Sequence, residues 1–312
     1  VILGRAERRD SDPAIPTRRR QTMRERIIFA ALISDGEDRM KKLKCFAPDR
    51  RAFVAGASVA LALAASPARA SNYRGVVGDI KPRADDSSLV DMIRLLPEGI
   101  GVIPVYLNLQ SGTREEYGSH YDLYEKLIAY LASQKANVIS IEGAPPFMLL
   151  GPAGEKKMVD GWKEKYKTDM FTSSQNQVNV MKALKVKNIL IITSGSGGAE
   201  MDAVYKKYFE DSGIGVAAVE SMKGVKFAAI REVPREQITA FITEKFAAHK
   251  NADAVYILGS ALEALPLIAP LERDLKVPVV QPIAARIWEI QRRLKVHEPI
   301  KGYGRLLETL PA

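Results

Sequence analysis

KANVISIEGA, residues 135–144, and NADAVYILGSA, residues 251–261, follow one pattern. Each leaves a helix end through a polar residue, enters four or five apolar residues and stops on small ones. VKNILIITSGSGG, residues 186–198, repeats it. A short apolar run rich in Val and Ile, closed by Gly, Ser or Ala, reads as a strand buried on both faces, and such strands belong to parallel sheets. Further runs of this kind lie at Gly75–Asp79, Gly101–Leu107, Gly215–Val219 and Val277–Gln281. Helical spacing fills the gaps. Residues 117–134 set Tyr121, Tyr124, Leu127, Ile128 and Leu131 on one face, and 174–184, 201–211, 235–249 and 283–294 behave similarly. Strand and helix alternate, which defines an α/β protein with parallel sheet flanked by helices.

In parallel sheets ligands bind beyond the carboxyl ends of the strands, where small residues let backbone approach the ligand. Three strands end in such turns: Gly143 and Ala144; Ser194, Gly195 and Ser196; Gly259, Ser260 and Ala261. Their convergence would suit a small anion, a carboxylate above all. The first turn continues into Pro145 and Pro146, which have no N–H to donate. It reads as a rigid wall, poor in donors. Pro82 follows the first strand and is a candidate second wall, although prolines commonly end strands. The Gly195–Gly198 turn lacks the Lys-Ser/Thr that a phosphate-binding loop requires.

The first 70 residues read differently. Asp49-Arg50-Arg51-Ala52-Phe53-Val54 is a twin-arginine pattern, followed by an uncharged run to Ala65 and by Ala68-Arg69-Ala70. That layout predicts a leader handled by the twin-arginine export machinery, removed near Ala70, and a periplasmic or otherwise exported product. Met40 is the favoured start. Residues 1–70 hold 15 Lys+Arg against 8 Asp+Glu, leaving 31 against 29 in the remainder. The net +9 of the whole chain is therefore mostly a property of the leader and argues for no nucleic-acid partner. Nothing in the sequence sets the oligomeric state; a homo-oligomer is left open.

Cys45 is the one cysteine and lies in the leader. Residues 71–312 thus form no disulfide, thiolate nucleophile or cysteine–metal site. His120, His249 and His297 are far apart, and no metal site is expected from their spacing.

LERDLKVPVVQPIAARIWEIQRRL (residues 271–294), GYGRLLE (302–308) and FTSSQNQVNVMKALKVKNILIIT (171–193) resemble the corresponding parts of the arylmalonate decarboxylase family. That family belongs to the aspartate/glutamate racemase superfamily, with maleate cis-trans isomerase. The resemblance implies two similar α/β lobes related by a pseudo-twofold axis, with a carboxylate cleft between them and no metal or organic cofactor. It implies a first lobe over residues 71–175, completed by 282–312, and a second over 176–281. Family sites use two opposed strand-end loops, each with a cysteine in the racemases and only the second with one in the decarboxylase. Here Ser260 falls at that second position and Pro145 near the first. The two-cysteine racemase mechanism is absent once the leader is gone.

Two functions remain open on this reading. One is a lyase- or isomerase-like enzyme without cysteine, which stabilises an enediolate through Gly143, Ala144, Ser194, Gly195, Ser196, Gly259 and Ala261 and protonates it from Ser260. The other is an exported solute-binding protein that captures a small carboxylate without turnover. Glu142 and Glu263 flank the loops as acid/base candidates, although a strand-end ion pair and a place in the first turn of a helix are the plainer readings. Phe147 is expected against the substrate's apolar part and Arg83 on the surface. Trp162, in the charged stretch 156–165, is expected over the cleft or in a solvated insertion.

Overall fold

The computed structural model describes residues 73–84, 88–195 and 197–312. The chain divides into residues 1–70 and 71–312, and both the expected export signal and Ser196 lie outside the described residues. In chain order the first half gives β1 (Gly75–Lys81), α1 (Ser88–Leu95), β2 (Ile100–Tyr106), α2 (Arg114–Gly118), α3 (Tyr121–Ser133), β3 (Val138–Ile141), α4 (Ala144–Met148), α5 (Gly151–Tyr166), β4 (Asp169–Thr172) and α6 (Ser173–Ala183). The second half gives β5 (Asn188–Thr193), α7 (Gly198–Asp211), β6 (Gly215–Ser221), α8 (Arg235–Ala248), β7 (Ala254–Ile257), α9 (Ile268–Leu275), β8 (Val279–Val280), α10 (Pro282–Arg293) and α11 (Arg305–Thr309), with a 3₁₀ segment at Phe227–Glu232 before α8.

The strands form two sheets of four, in the orders β2-β1-β3-β4 and β6-β5-β7-β8. All pairings are parallel. The second order is the first shifted by four strands, so the architecture is one lobe built twice. It is the expected α/β class, with helices covering the sheets. The central strands explain themselves: Val138–Ile141 and Ala254–Ile257 are buried throughout, as a strand covered on both faces must be.

Local sequence departs from expectation in four places. β4 was not legible, because DMFT is four residues long, starts with an acid and runs directly into a helix. Pairing with β3 makes it a strand, with Val138 opposite Asp169 and Ile141 opposite Thr172, and Thr172 then caps α6 by accepting from the Gln175 N–H. The single helix expected over 117–134 is split at Ser119 and His120 into α2 and α3. The stretch around Trp162 is neither a lid nor a solvated insertion. It belongs to α5, where Glu155, Val159 and Trp162 are buried at helical spacing, and Trp162 meets Phe147 edge-on at 6.3 Å. Phe147 itself is fully buried against Tyr124 and Trp162, so it belongs to the core and not to a ligand's apolar side.

Buried hydrogen bonds link α5 to α7 and α6 to β7. Glu155 of α5 is buried and accepts hydroxyls from Thr172, Ser174 and, on α7, Tyr208. Its burial raises the carboxyl pKa, against which the Ser174, Thr172 and Tyr208 hydroxyls act. Tyr256 of β7 donates to Gln177 of α6 at 2.7 Å. Helix α10 is buried from Pro282 to Gln291, so it carries Arg286 and Glu289 into the interior.

Candidate functional site

The carboxyl ends of β1, β3, β5 and β7 face one cleft, with a cavity of about 120 Å³. Cavities of roughly that size hold a single aromatic ring. Of the residues expected there, Pro82, Gly143, Ala144, Ser194, Gly195, Gly259, Ser260 and Ala261 line it. Arg83, expected on the surface, also lines it; its guanidinium donates to the Phe227 carbonyl at 3.1 Å and lies over that ring. Glu263 does not turn inward but pairs with Arg235 at 3.0 Å.

The proline turn has a clear local cause. Gly143 takes φ 88°, open to glycine at little cost, and starts α4, with Pro145 and Pro146 in its first turn. Backbone N–H groups there have no intrahelical acceptor, so proline removes nothing the helix needs. The wall is therefore rigid, as its sequence suggests, and the N–H groups left on it belong to Gly143 and Ala144. The middle turn differs from expectation. The Gly195 N–H is already used on Thr193 Oγ1 at 3.0 Å. Gly195 is there for its backbone: φ is 77°, and a Cβ would stand 2.4 Å from the Met222 carbonyl oxygen. It is a close-approach residue, not a ligand donor.

Sequence reasoning missed the strongest feature. Four charged side chains meet at the cleft floor: Asp79, Lys81 and Glu142 are fully buried and Arg286 is 1% exposed. Lys81 Nζ lies 2.7 Å from Glu142 Oε1 and 3.9 Å from Asp79 Oδ2. Arg286 Nη1 lies 2.9 Å from Glu142 Oε1. Ser260 donates to the other oxygen, Glu142 Oε2, at the long distance of 3.5 Å. Burial pushes the Glu142 pKa up most strongly; Arg286 opposes this, Asp79 adds to it and Lys81 opposes it, and the net direction is upward. Two acids and two bases nearly cancel, which makes this much buried charge tolerable.

Arg286 is the group with capacity to spare. It lines the cleft; among the described residues its Nε makes no hydrogen bond, and Nη1 is ion-paired with Glu142 without a well-aligned hydrogen bond. A buried guanidinium with unused donors is costly unless an anion completes it, and its planar fork matches a carboxylate. The sequence did carry signals. Asp79 and Lys81 are two apart on a buried strand and so share a face, and Arg286 sits in an otherwise apolar stretch, PIAARIW.

The cleft lining also includes Leu109, Tyr117, Tyr205, Phe227, Ile230 and Leu258. Burial raises the pKa of Tyr117, Tyr205 and Tyr256, so these phenols keep their protons and offer rings and O–H groups, not a base. His120 and His249 are occupied outside the cleft, on the Glu116 carbonyl and on Glu220. Among the described residues no group of three His, Cys, Asp or Glu is arranged to hold a metal ion.

Two lobes of identical strand order with strand-tip turns meeting in one cleft define a two-lobed α/β protein, and its sequence match fits the aspartate/glutamate racemase superfamily. The chain belongs to the arylmalonate decarboxylase family, whose sequence profile matches residues 77–307. It is 26% identical over 244 residues to arylmalonate decarboxylase of Bordetella bronchiseptica, covering 74% of this chain and 96% of that protein. Among solved structures, a double mutant of arylmalonate decarboxylase in its liganded form superposes with a TM-score of 0.69 at 23% identity, over 74% of this chain and 98% of that one. The maleate isomerase of Pseudomonas putida S16 gives 0.69 at 17% identity, over 76% and 99%.

Proposed function

We propose that this chain is a cofactor-independent enzyme that decarboxylates a small malonate-type acid carrying an apolar group. The observation that carries the reading is Arg286, a buried guanidinium in the lining of a largely apolar cleft, whose Nε makes no hydrogen bond among the described residues. In this reading one carboxylate is held by Arg286, and the apolar group packs against Tyr117, Phe227 and Ile230. The second carboxylate is left in the drier part of the cleft, where loss of its charge as CO2 is favoured. The bond from the α-carbon to that carboxylate breaks, and the electron pair spreads into the retained carboxylate as an enediolate. Arg286 meets the charge where it grows, which is the term that counts in such reactions. Ser260 Oγ then gives its proton to the α-carbon and regains one, ultimately from solvent, so that no alkoxide is left. Membership in a family whose relatives are named for arylmalonate decarboxylation and whose fold is shared by a maleate isomerase supports a dicarboxylic substrate.

The sequence favours one competing outcome, capture without turnover, because residues 71–312 contain no thiol and a serine hydroxyl is a far weaker acid. The test is a thermal-shift series with malonate and α-aryl malonates, followed by turnover assays on Ser260→Ala. The expected result is a raised Tm with the dicarboxylates. Ser260→Ala should keep that shift and lose turnover by about 10²-fold or more. No shift across the series contradicts a dicarboxylate site, and unchanged turnover removes Ser260 from the reaction.

A further inference from the structure

We propose that Glu142 is the proton reservoir of the site: it takes up a proton when a dianionic substrate binds and passes it, through the Ser260 hydroxyl, to the α-carbon. This rests on the decarboxylase reading above and goes beyond it by stating where the proton comes from and when it arrives.

The first support is charge balance. Asp79, Lys81, Glu142 and Arg286 form a cluster of two negative and two positive groups with almost no access to water. Bringing a second anion onto Arg286 leaves buried negative charge in excess, which is costly in a dry site. Protonating one of the two acids restores balance, and Glu142 is the acid nearer to both cations.

The second support is hydrogen bonding. Among the described residues no hydrogen bond reaches either oxygen of Asp79, although it is fully buried. A protonated Glu142 brings an O–H donor into this group, which a carboxylate pair lacks. The groups that face Glu142 are Asp79 and Lys81 on β1, Arg286 on α10, Ser260 after β7, and Tyr124 on α3, whose O–H reaches the Glu142 carbonyl at 3.4 Å. Tyr124 is itself buried, with its pKa raised well above the ordinary value, so it stays neutral. Burial likewise favours the neutral form of Glu142.

The third support is the path. Glu142 Oε2 and Ser260 Oγ are neighbours at 3.5 Å, and Ser260 lines the cleft while Glu142 lies behind it. The step balances. The C–C bond to the leaving carboxylate breaks and CO2 departs; the pair left on the α-carbon takes the Ser260 proton; Ser260 takes the proton of Glu142. Glu142 ends as a carboxylate beside Lys81 and is reprotonated when the next dianion binds. Glu142 thus acts through Ser260 as a positioning and proton-holding residue.

The experiment is calorimetric binding of malonate in buffers of different ionisation enthalpy, with protein in excess of any turnover. Wild type should take up about one proton per malonate bound, so that affinity falls about tenfold per pH unit above the Glu142 pKa. Glu142→Gln, nearly isosteric, should bind with uptake near zero and a flat pH profile. Ser260→Ala should keep the uptake while losing turnover. Difference infrared spectra of wild type should gain a protonated-carboxyl band on binding that shifts with ¹³C-glutamate labelling, which needs no variant to fold. Binding without proton uptake, or uptake and an infrared band that survive in Glu142→Gln, overturns the inference. Absence of any binding is a different result: it removes the dicarboxylate reading, and this inference with it.

Discussion

Arg286→Ala is expected to lose at least about a hundredfold in kcat/KM toward a malonate-type acid and to unfold at markedly lower urea. Two separate costs produce this. The variant removes a buried guanidinium from the cleft lining, and truncating a buried charged contact of this kind costs about 2–5 kcal/mol in binding. It also leaves Glu142 and Asp79 facing Lys81 alone, and breaking a buried ion pair from one side costs about 3–5 kcal/mol of stability. Arg286→Lys separates the two. A lysine keeps the charge for Glu142 but loses the planar fork. It should recover most of the stability while kcat/KM stays low. Full activity in Arg286→Lys would mean that a point charge suffices and that the carboxylate is held elsewhere. Urea midpoints and steady-state kinetics on the same preparations decide the matter.

The second large effect falls on Lys81. Its ammonium is fully buried between Glu142 and Asp79 and also donates to Ser88. Lys81→Met keeps the length and apolar stem and removes the charge, leaving two buried acids against one guanidinium. The expected loss is about 3–5 kcal/mol by urea unfolding at neutral pH. Adding Glu142→Gln should return part of it, because the double variant no longer strands a carboxylate. The two substitutions should therefore be non-additive by about 0.5–3 kcal/mol, the range for residues in one ion-pair network. Strict additivity would place Lys81 outside the network that the distances describe.

The sequence exposed what local pattern can expose. β3, β5 and β7 are short, mostly apolar runs with punctuation at both ends, and the small-residue turns that follow them line the cleft. β4 escaped because its four residues gain their identity from pairing with β3, a contact no window of sequence contains. The charge cluster escaped for the same reason on a larger scale. Lys81 and Glu142 are 61 residues apart, and Arg286 arrives from the far end of the chain on α10. Each alone reads as an ordinary strand-end or helix residue. In advance the sequence offered the Asp79–Lys81 spacing, the lone arginine of PIAARIW and the strand-end ion pair read for Glu142, which forms with Lys81 and Arg286. The middle turn shows the opposite error. Gly195 looked like a donor because glycine turns often cradle anions, but its φ and its packing on Met222 make it a steric requirement of the loop.

On the proposed reading, a buried guanidinium and a buried acid carry the chemistry without a thiol, residues 71–312 having none. The family's chemistry survives that absence if the retained carboxylate is anchored on Arg286 and the α-carbon is protonated from the Ser260 side. The most direct measurement is NMR of residues 71–312 incubated in D2O with an α-aryl malonate carrying ¹³C in its carboxyl groups. The predicted result is labelled CO2 together with a monoacid bearing about one deuterium at the α-carbon per CO2 released. A bound diacid returned unchanged, with neither CO2 nor deuterium, would contradict the account.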